Sequence, residues 1–364
     1  MAGFSAREEQ AVKRIAWFFG LMAVSALYLA GCGGGGGGGG DGSKAAYSST
    51  SSQKKLLPQN MVGNIGGATL YHYADKDPVL GYYSDGDVKA GTSTFTSTFT
   101  AAQVANAPTQ SWSGKGFSSV EYPDVDYHVL SRNSSVTLSP TGFGNSGLFP
   151  SGSYFTGPNT QYQAKDILWL GKLDYAAFGY WAQDVDVKFN LLNGNGILTG
   201  KLADVHQFYV GLDQYKAGYN TSLAQSSFRG PAAGMATYVN MASGSETVNS
   251  IPLVGTALLN MPLSSSSYSS SLNLTFNNGF VLAGTASVTP GSSDITNGNF
   301  SYVQQGSMPG SATLYNSTPS GRFSGQFYGA NNTPSEAAGH FSAALQSGAE
   351  KLSVDGAYGV KKQK

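Results

Sequence analysis

The chain has 364 residues and carries 21 basic and 21 acidic side chains, so its formal net charge is zero, which argues against nucleic acid as a partner. Only 12% of the residues are charged while glycine alone occurs 49 times, a composition typical of β-rich extracellular proteins and not of helical ones. The single cysteine excludes an internal disulfide.

The N-terminal segment has the pattern of a lipoprotein export signal. Lys13 and Arg14 precede the apolar run IAWFFGLMAVSALYLA, which ends in LAGC with Cys32 as its last residue. This order predicts a signal peptide at residues 1–31 and acyl chains, palmitate among them, on Cys32 as the membrane anchor. A free reactive thiol at Cys32 is the alternative interpretation.

A glycine run follows Cys32 as far as Gly40 and continues into DGSKAAYSSTSSQKK. Because chains rich in Gly and Ser are flexible coils, we interpret residues 32–56 as a tether. A phosphate-binding loop would need a preceding strand and a following helix with Gly-Lys-Ser/Thr, and neither pattern is present. Gly33 after the cysteine, in place of aspartate, favours the outer membrane.

Residues 57–228 form the predicted ligand domain, in which strand alternation is weak and connections are long. Its densest apolar segment is KDILWLGKLDYAAFGYWAQDVDVKFNLL, and a short helix near Asp213 is one interpretation of the chain beyond it. Loops on a β scaffold are frequent recognition sites. The aromatic residues in Pro- and Gly-rich loops that we predict as ligand contacts are Trp112, Phe143, Tyr154 and Phe155. Small hydrophobic clusters beneath the loops are the alternative role for these side chains.

Residues 229–364 carry a regular strand pattern. In SLNLTFNNGFVLAGTASV, Leu272, Leu274 and Phe276 alternate with polar residues, and Asn278-Gly279 predicts a type I′ hairpin turn. Similar segments recur, and GNFSYVQQG with GSATLYNST is interpreted as a further strand pair. About eight evenly spaced short strands fit, a pattern that suggests a sandwich or a closed antiparallel barrel. We predict an all-β chain that ends in an eight-stranded antiparallel barrel filled by side chains.

No catalytic constellation is evident, so the chain is predicted not to be an enzyme. The four histidines share no metal-ligand spacing, and GNGILTG has one residue too many for a dinucleotide loop. Three acidic pairs place two carboxylates on one strand face, a pattern compatible with calcium or glycoside chemistry but more typical of a solvated face. These pairs are Asp85/Asp87, Asp124/Asp126 and Asp184/Asp186. We therefore predict no metal and no resident cofactor.

Haem is the one alternative ligand that the histidines leave open, because it needs only one or two axial ligands and an apolar pocket. His72 and His128 lie in the aromatic surroundings LYHYA and DVDYHVL, which makes them the candidate haem ligands.

The stretch FSGQFYGANNTPSEAAGHF resembles the barrel signature of the transferrin-binding protein B family, approximately G-x-F-Y-G-P followed by A-x-E-x-G-G-x-F. VDGAYGVKK is similar to the terminal strand of those barrels and PAAGMATYVNMASG to their opening strand. Ala330 replaces the usual proline, Ala338 replaces a glycine, and the chain holds only one lobe. The residues that carry the signature are Gly325, Phe327, Tyr328, Gly329, Glu336, Gly339 and Phe341.

The resemblance implies an N-terminal β-rich handle domain before the barrel. It also implies a lipoprotein on the outer face of the outer membrane that binds a protein or iron-source ligand and presents it to a partner transporter, with a dedicated export partner. A haem-scavenging lipoprotein and a structural envelope lipoprotein without a ligand are the alternatives. In the signature, we expect Phe327 and Phe341 to face the barrel interior and Tyr328 and His340 to face outward. Glu336 is expected to accept backbone N–H bonds and fix its turn.

Overall fold

The computed structural model describes residues 60–63, 70–72, 97–100, 107–113, 124–138, 149, 155–191, 196–211, 216–219, 226–242, 244, 246–261 and 269–363. Side chains are described from residue 107 onward. The chain from Ser49 to Lys364 is one compact unit. Within the described residues, none of the helices has the length and apolar character needed to cross a membrane. The predicted signal peptide, tether and Asp213 helix lie outside the described residues.

Nine described strands precede the barrel. They are β1 (Asn60–Gly63), β2 (Leu70–His72), β3 (Ser97–Thr100), β4 (Thr109–Trp112), β5 (Val125–Leu138), β6 (Phe155–Thr156), β7 (Thr160–Lys172), β8 (Ala176–Leu191) and β9 (Ile197–Gly211). The first three form a small antiparallel sheet in the order β2-β1-β3. In the handle sheet, β9, β8, β7, β5 and β4 are neighbours in that order, all antiparallel, and β6 pairs with β8.

The burial pattern of β8 shows how the handle sheet is packed. Its first eight residues are all buried, whereas in its second half Val185, Val187 and Phe189 are buried and alternate with more exposed residues. The apolar segment is continuous where both faces are covered, because one face packs against the barrel and the other against the core of the handle itself. In the second half of β8 only one face is covered, so buried and exposed residues alternate with the period of two that is typical of strands.

A buried carboxylate interrupts the apolar core of the handle sheet. Asp166 is completely buried and accepts hydrogen bonds from Arg132 Nε at 2.9 Å, Ser134 Oγ at 3.0 Å and Gln183 Nε2 at 2.8 Å. The three donors come from β5 and β8, which flank β7 on both sides, so the network ties three neighbouring strands together.

Eight strands then form a closed antiparallel barrel, as predicted. They are β10 (Ser227–Asn240), β11 (Thr247–Asn260), β12 (Ser269–Phe276), β13 (Val281–Val288), β14 (Asp294–Gln304), β15 (Ser320–Tyr328), β16 (Glu336–Ser347) and β17 (Glu350–Lys362). Each strand pairs with the next, and β10 pairs with both β11 and β17, which closes the ring. β10 begins two residues before the predicted domain start at residue 229.

The barrel interior is filled by side chains. Leu272, Leu274 and Phe276 of β12 point inward as their alternation predicts, and they share one apolar cluster with Phe327 and Phe341. An eight-stranded barrel has an interior that side chains can just fill, so the barrel is a packed core.

Two local predictions in the barrel are wrong. Four residues, 277–280, connect β12 and β13, and the turn contains a 2.9 Å bond from Gly279 N–H to the Phe276 carbonyl; of these residues only Gly279 has a positive φ, of 79°. A type I′ turn would require a positive φ at both central residues. The segment GSATLYNST contains a one-turn helix, α1 (Ala312–Tyr315), because the Ser311 side chain accepts the Leu314 N–H as an N-cap and the helix buries two apolar side chains.

Candidate functional site

The three outer strands of the handle sheet, β4, β5 and β7, carry an apolar surface on one face. Trp112 pairs with Val125 and Val129 pairs with Trp169, so strand alternation brings Trp112, Tyr127, Val129 and Ile167 to the same side. Val129 is 39% exposed and the other three side chains are half-buried. We call these four residues the aromatic face.

A buried tryptophan on the same side of the sheet packs beside the aromatic face. The ring of Tyr127 stacks on Trp169, with 5.1 Å between ring centroids and 18° between planes. Trp169 is 1% exposed and also contacts Phe178 at 5.5 Å. The orientation of Tyr127 is therefore fixed by packing.

The opposite side of the same strands borders a polar cleft of about 460 Å³ where the handle sheet meets the end of the barrel. Most of its lining comes from β4, β5 and the β7–β8 turn, and one lysine comes from β17. The lining residues are Thr109, Ser111, Asp124, Asp126, Lys172, Leu173, Asp174 and Lys361.

Charges of both signs line this polar cleft. Lys361 Nζ lies 3.1 Å from Asp174 Oδ1, and the lysine side chain is only 13% exposed. Lys172 is the direct cross-strand partner of Asp126. Burial lowers the pKa of Lys172, and the carboxylate of Asp126 acts in the opposite direction. Lys172 is therefore partly removed from water, whereas Lys361 forms an ion pair with Asp174.

His128 occupies the next row of the same face. It is 3% exposed, and its Nδ1 lies 3.2 Å from the Ala107 carbonyl oxygen, to which it can donate. Its Nε2 has no hydrogen-bond partner within the described part of the chain. Burial lowers the pKa of His128, and the positive charge of Lys172 lowers it further. His128 therefore favours its neutral form beside the cleft.

Glu336, the acidic residue of the signature, joins the barrel to the handle sheet. It is 1% exposed, and its carboxylate accepts the N–H groups of Asp174 at 3.1 Å and Tyr175 at 3.4 Å. Both donors belong to the β7–β8 turn and not to the turn before β16 that we had expected. The reason is that Glu336 lies on the outward side of β16, next to its cross-strand partner Lys361, so its side chain meets the handle.

Burial raises the pKa of Glu336 to about 8, and the nearby carboxylate of Asp174 raises it as well. Lys361 and the two N–H donors oppose this shift. The cluster of Glu336, Asp174 and Lys361 therefore holds the β7–β8 turn against the end of the barrel and fixes one wall of the polar cleft.

The other signature residues have structural roles. Phe327 and Phe341 lie in the barrel interior, whereas Tyr328 packs in the cluster between barrel and handle. Gly325 and Gly339 are cross-strand partners beneath the Tyr358 hydroxyl, which would lie 2.7 Å from a Cβ on the first and 2.5 Å from a Cβ on the second. Both glycines thus make room for this side chain.

His340 and Gly329 also fit the outward side of the signature. His340 Nε2 lies 2.9 Å from Ser324 Oγ, and its ring contacts Tyr209 of the handle sheet at 5.6 Å. Burial lowers the pKa of His340. At Gly329 a Cβ would lie 1.9 Å from the Thr333 carbonyl oxygen, so the connection to β16 requires glycine there.

The predicted ligand contacts do not come together within the described structure. Trp112 belongs to the aromatic face, whereas Phe155 is 3% exposed and packs on Phe149 at 4.7 Å and Phe189 at 5.4 Å in the handle core. Phe143, Tyr154 and Cys32 lie outside the described residues, as does the side chain of His72.

The acidic pairs differ from one another. Asp124 and Asp126 line the polar cleft, while Asp184 accepts a 2.5 Å bond from Ser250 and shares Lys201 with Asp186 at 3.7 and 3.6 Å. Asp85 and Asp87 lie outside the described residues. Among those that are described, no three His, Cys, Asp or Glu side chains are grouped to hold a metal ion.

The lysines of the cleft are the functional candidates that sequence reasoning missed. The available signal was the charged pair in LWLGKLDYAAF, where Lys172 and Asp174 interrupt an apolar segment. Lys361 gave no such signal, because its position beside Asp174 depends on the approach of two distant parts of the chain.

Comparison with known proteins found no matching family model and no matching curated protein. A transferrin-binding protein B from Haemophilus parasuis Hp5, solved as a tryptophan-to-alanine mutant, is similar at 12% identity and a TM-score of 0.31, over 84% of this chain and 51% of that one. Intact Ap-TbpB, with its N and C lobes, is similar at 13% identity and a TM-score of 0.31, over 84% of this chain and 52% of that one. The chain spans about half the length of these solved structures.

Proposed function

We propose that this chain is a lipid-anchored outer-membrane protein, displayed on the cell surface, that captures a protein or iron-source ligand and presents it to a partner transporter. The aromatic face on the outer strands of the handle sheet is the observation that carries the proposal.

The aromatic face has the properties of a recognition surface. Single exposed apolar residues are ordinary, but Trp112, Tyr127 and Val129 are contiguous on neighbouring strands. Tryptophan and tyrosine are enriched among the residues that dominate binding energy at protein interfaces. Because Tyr127 is already held by Trp169, little side-chain freedom would be lost on binding.

The barrel serves this function as a scaffold. Its interior is packed with side chains, and the cluster around Glu336 holds the handle against its end. A ligand on the outer strands would therefore be kept in a fixed orientation relative to the barrel, which suits presentation to a second protein.

The anchor is inferred from the sequence. The basic residues Lys13 and Arg14, the apolar run and the LAGC ending at Cys32 occur in the order of a lipoprotein signal, and the Gly/Ser tether after them would separate the folded part from the membrane.

Surface plasmon resonance with the full-length protein in detergent tests ligand capture, with iron-loaded transferrin as the probe. Trp112→Ala and Tyr127→Ala should each weaken binding at least about tenfold, since interface anchors of this type contribute upward of about 1.4 kcal/mol. Tyr302→Ala is the matched control, because Tyr302 is 52% exposed on the barrel strand β14. Thermal melts establish that each variant remains folded.

Other outcomes would favour the alternatives. Absence of transferrin binding together with a haem Soret shift that disappears in His128→Ala would favour the haem-scavenging function. Absence of both would favour a structural lipoprotein. Equal loss of binding in Tyr302→Ala and Trp112→Ala would contradict the assignment to the aromatic face, and resistance of the protein to protease on intact cells would contradict surface display.

A further inference from the structure

The polar cleft contains a row of three polar side chains across three strands. Ser111 pairs with Asp126, and Asp126 pairs with Lys172, so the three lie side by side on the face opposite the aromatic face. Thr109 and His128 form the neighbouring row. The row therefore presents a hydroxyl, a carboxylate and an ammonium group to the same cavity.

Lys172 is the unusual member of this row. It is half-buried, yet it makes no ion pair or hydrogen bond with any residue that the structure describes. Removing a cation from water is costly, and burial lowers the pKa of Lys172 although the carboxylate of Asp126 opposes that shift. Lys361, by comparison, is paired with Asp174 at 3.1 Å. An anion within hydrogen-bond distance of Lys172 would stabilise its charge further.

An anion alone does not fit the rest of the lining. Asp124, Asp126 and Asp174 outnumber Lys172 and Lys361, so the cavity as a whole is acidic. A simple anion would be repelled by the surplus carboxylate, and a simple cation would leave Lys172 without a partner. A molecule that carries both charges satisfies both conditions.

We propose that the polar cleft binds a small zwitterion, an α-amino acid or a short peptide, with its carboxylate at Lys172 and its ammonium group at Asp126. The volume of about 460 Å³ lies within the range of small-molecule sites, roughly 300–1,000 Å³. This site is on the opposite side of the strands from the aromatic face, so the proposal of zwitterion binding does not depend on the proposal of protein capture.

Isothermal titration of the full-length protein in detergent tests the proposal with L-alanine and alanyl-alanine as probes. Acetate, ethylammonium and N-acetylalanine amide carry one charge or none and serve as the comparison ligands. At least one zwitterion should bind about tenfold or more tightly than each of these, and Lys172→Gln and Asp126→Asn should each reduce its affinity about tenfold. Lys165→Gln, an exposed lysine on the same strand, is the matched control and should leave the affinity unchanged.

The imidazole of His128 gives a second readout by proton NMR. The charge of Lys172 lowers the pKa of His128 more than the charge of Asp126 raises it, so a bound zwitterion that offsets both charges should raise that pKa in the wild type and not in Lys172→Gln. Trp112→Ala should retain zwitterion binding, which separates this site from the aromatic face. Equal affinity for acetate and the zwitterions, no binding of either zwitterion at millimolar concentration, or unchanged affinity in Lys172→Gln would each overturn the proposal.

Discussion

Replacing Glu336 by glutamine tests the carboxyl group that joins the barrel to the handle sheet. Burial raises the pKa of Glu336 from 4.5 to about 8 in the folded protein. The folded chain therefore keeps a proton that the unfolded chain releases, so the free energy of unfolding falls as pH rises between these two values and is constant above the higher one. From about pH 7 to about pH 8.5 this group alone should lower the free energy of unfolding by about 1.3 kcal/mol.

Glutamine has nearly the shape of the protonated carboxyl group and does not titrate, so Glu336→Gln should lack this decline. Urea unfolding followed by tryptophan fluorescence at both pH values measures the difference between the two proteins. That difference reports on Glu336 alone. Other groups with shifted pKa values, among them His128, His340 and Asp355, affect the pH dependence of the free energy of unfolding equally in both proteins.

Asp186→Asn is the control, because this carboxylate is 63% exposed and its removal should leave the wild-type decline in place. An equal change in the free energy of unfolding of the wild type and Glu336→Gln over this range would refute the reasoning. It would mean that the two N–H donors and Lys361 keep Glu336 ionised in the folded protein despite its burial.

Three further outcomes are expected. Gly339→Ala should lower the free energy of unfolding by about 2 kcal/mol or more, because its Cβ would lie 2.2 Å from the Ser324 carbonyl oxygen, and an unchanged urea midpoint would contradict this close packing. Asp166→Ala should cost about 2 kcal/mol in the same assay, since it removes the 2.8 Å acceptor of the buried Gln183 Nε2, and an unchanged free energy of unfolding would show that the network is dispensable. Cys32→Ser should release the protein from membranes and abolish its labelling by palmitate in cell fractionation, whereas unchanged membrane retention would contradict lipidation at this residue.

The barrel was predictable because several of its strands, β12 and β13 most clearly, alternate buried and more exposed side chains. Leu272, Leu274 and Phe276 identified an inward face. Evenly spaced short strands are compatible with a sandwich as well as a barrel, so the closure itself is shown by the pairing of β10 with β17. The prediction failed at ATLY within GSATLYNST, since four residues are too few to separate a strand from a helical turn. The N-cap at Ser311 and the burial of Leu314 make this segment helical, and the burial depends on tertiary packing.

The site was harder to predict because its parts are distant in sequence. The sequence predicts that Trp112 is a ligand contact in a loop. The structure places it on strand β4, where pairing with β5 brings it to the same side as Tyr127. Glu336 bonds to a turn that lies 162 residues earlier, and no local pattern encodes that contact. Lys361 reaches the polar cleft for the same reason, so only the packing of handle against barrel reveals it.

The pairing of β10 with β17 has a consequence for how the chain folds. The partners Ala233 and Ala357 lie roughly 120 residues apart, so the ring cannot close until β17 has formed. Until then β10 and β16 expose unpaired backbone edges, which are templates for association with other chains. Pairing at such long range is slow, so closure of the barrel should limit the rate of folding, and a chain truncated before β17 should aggregate.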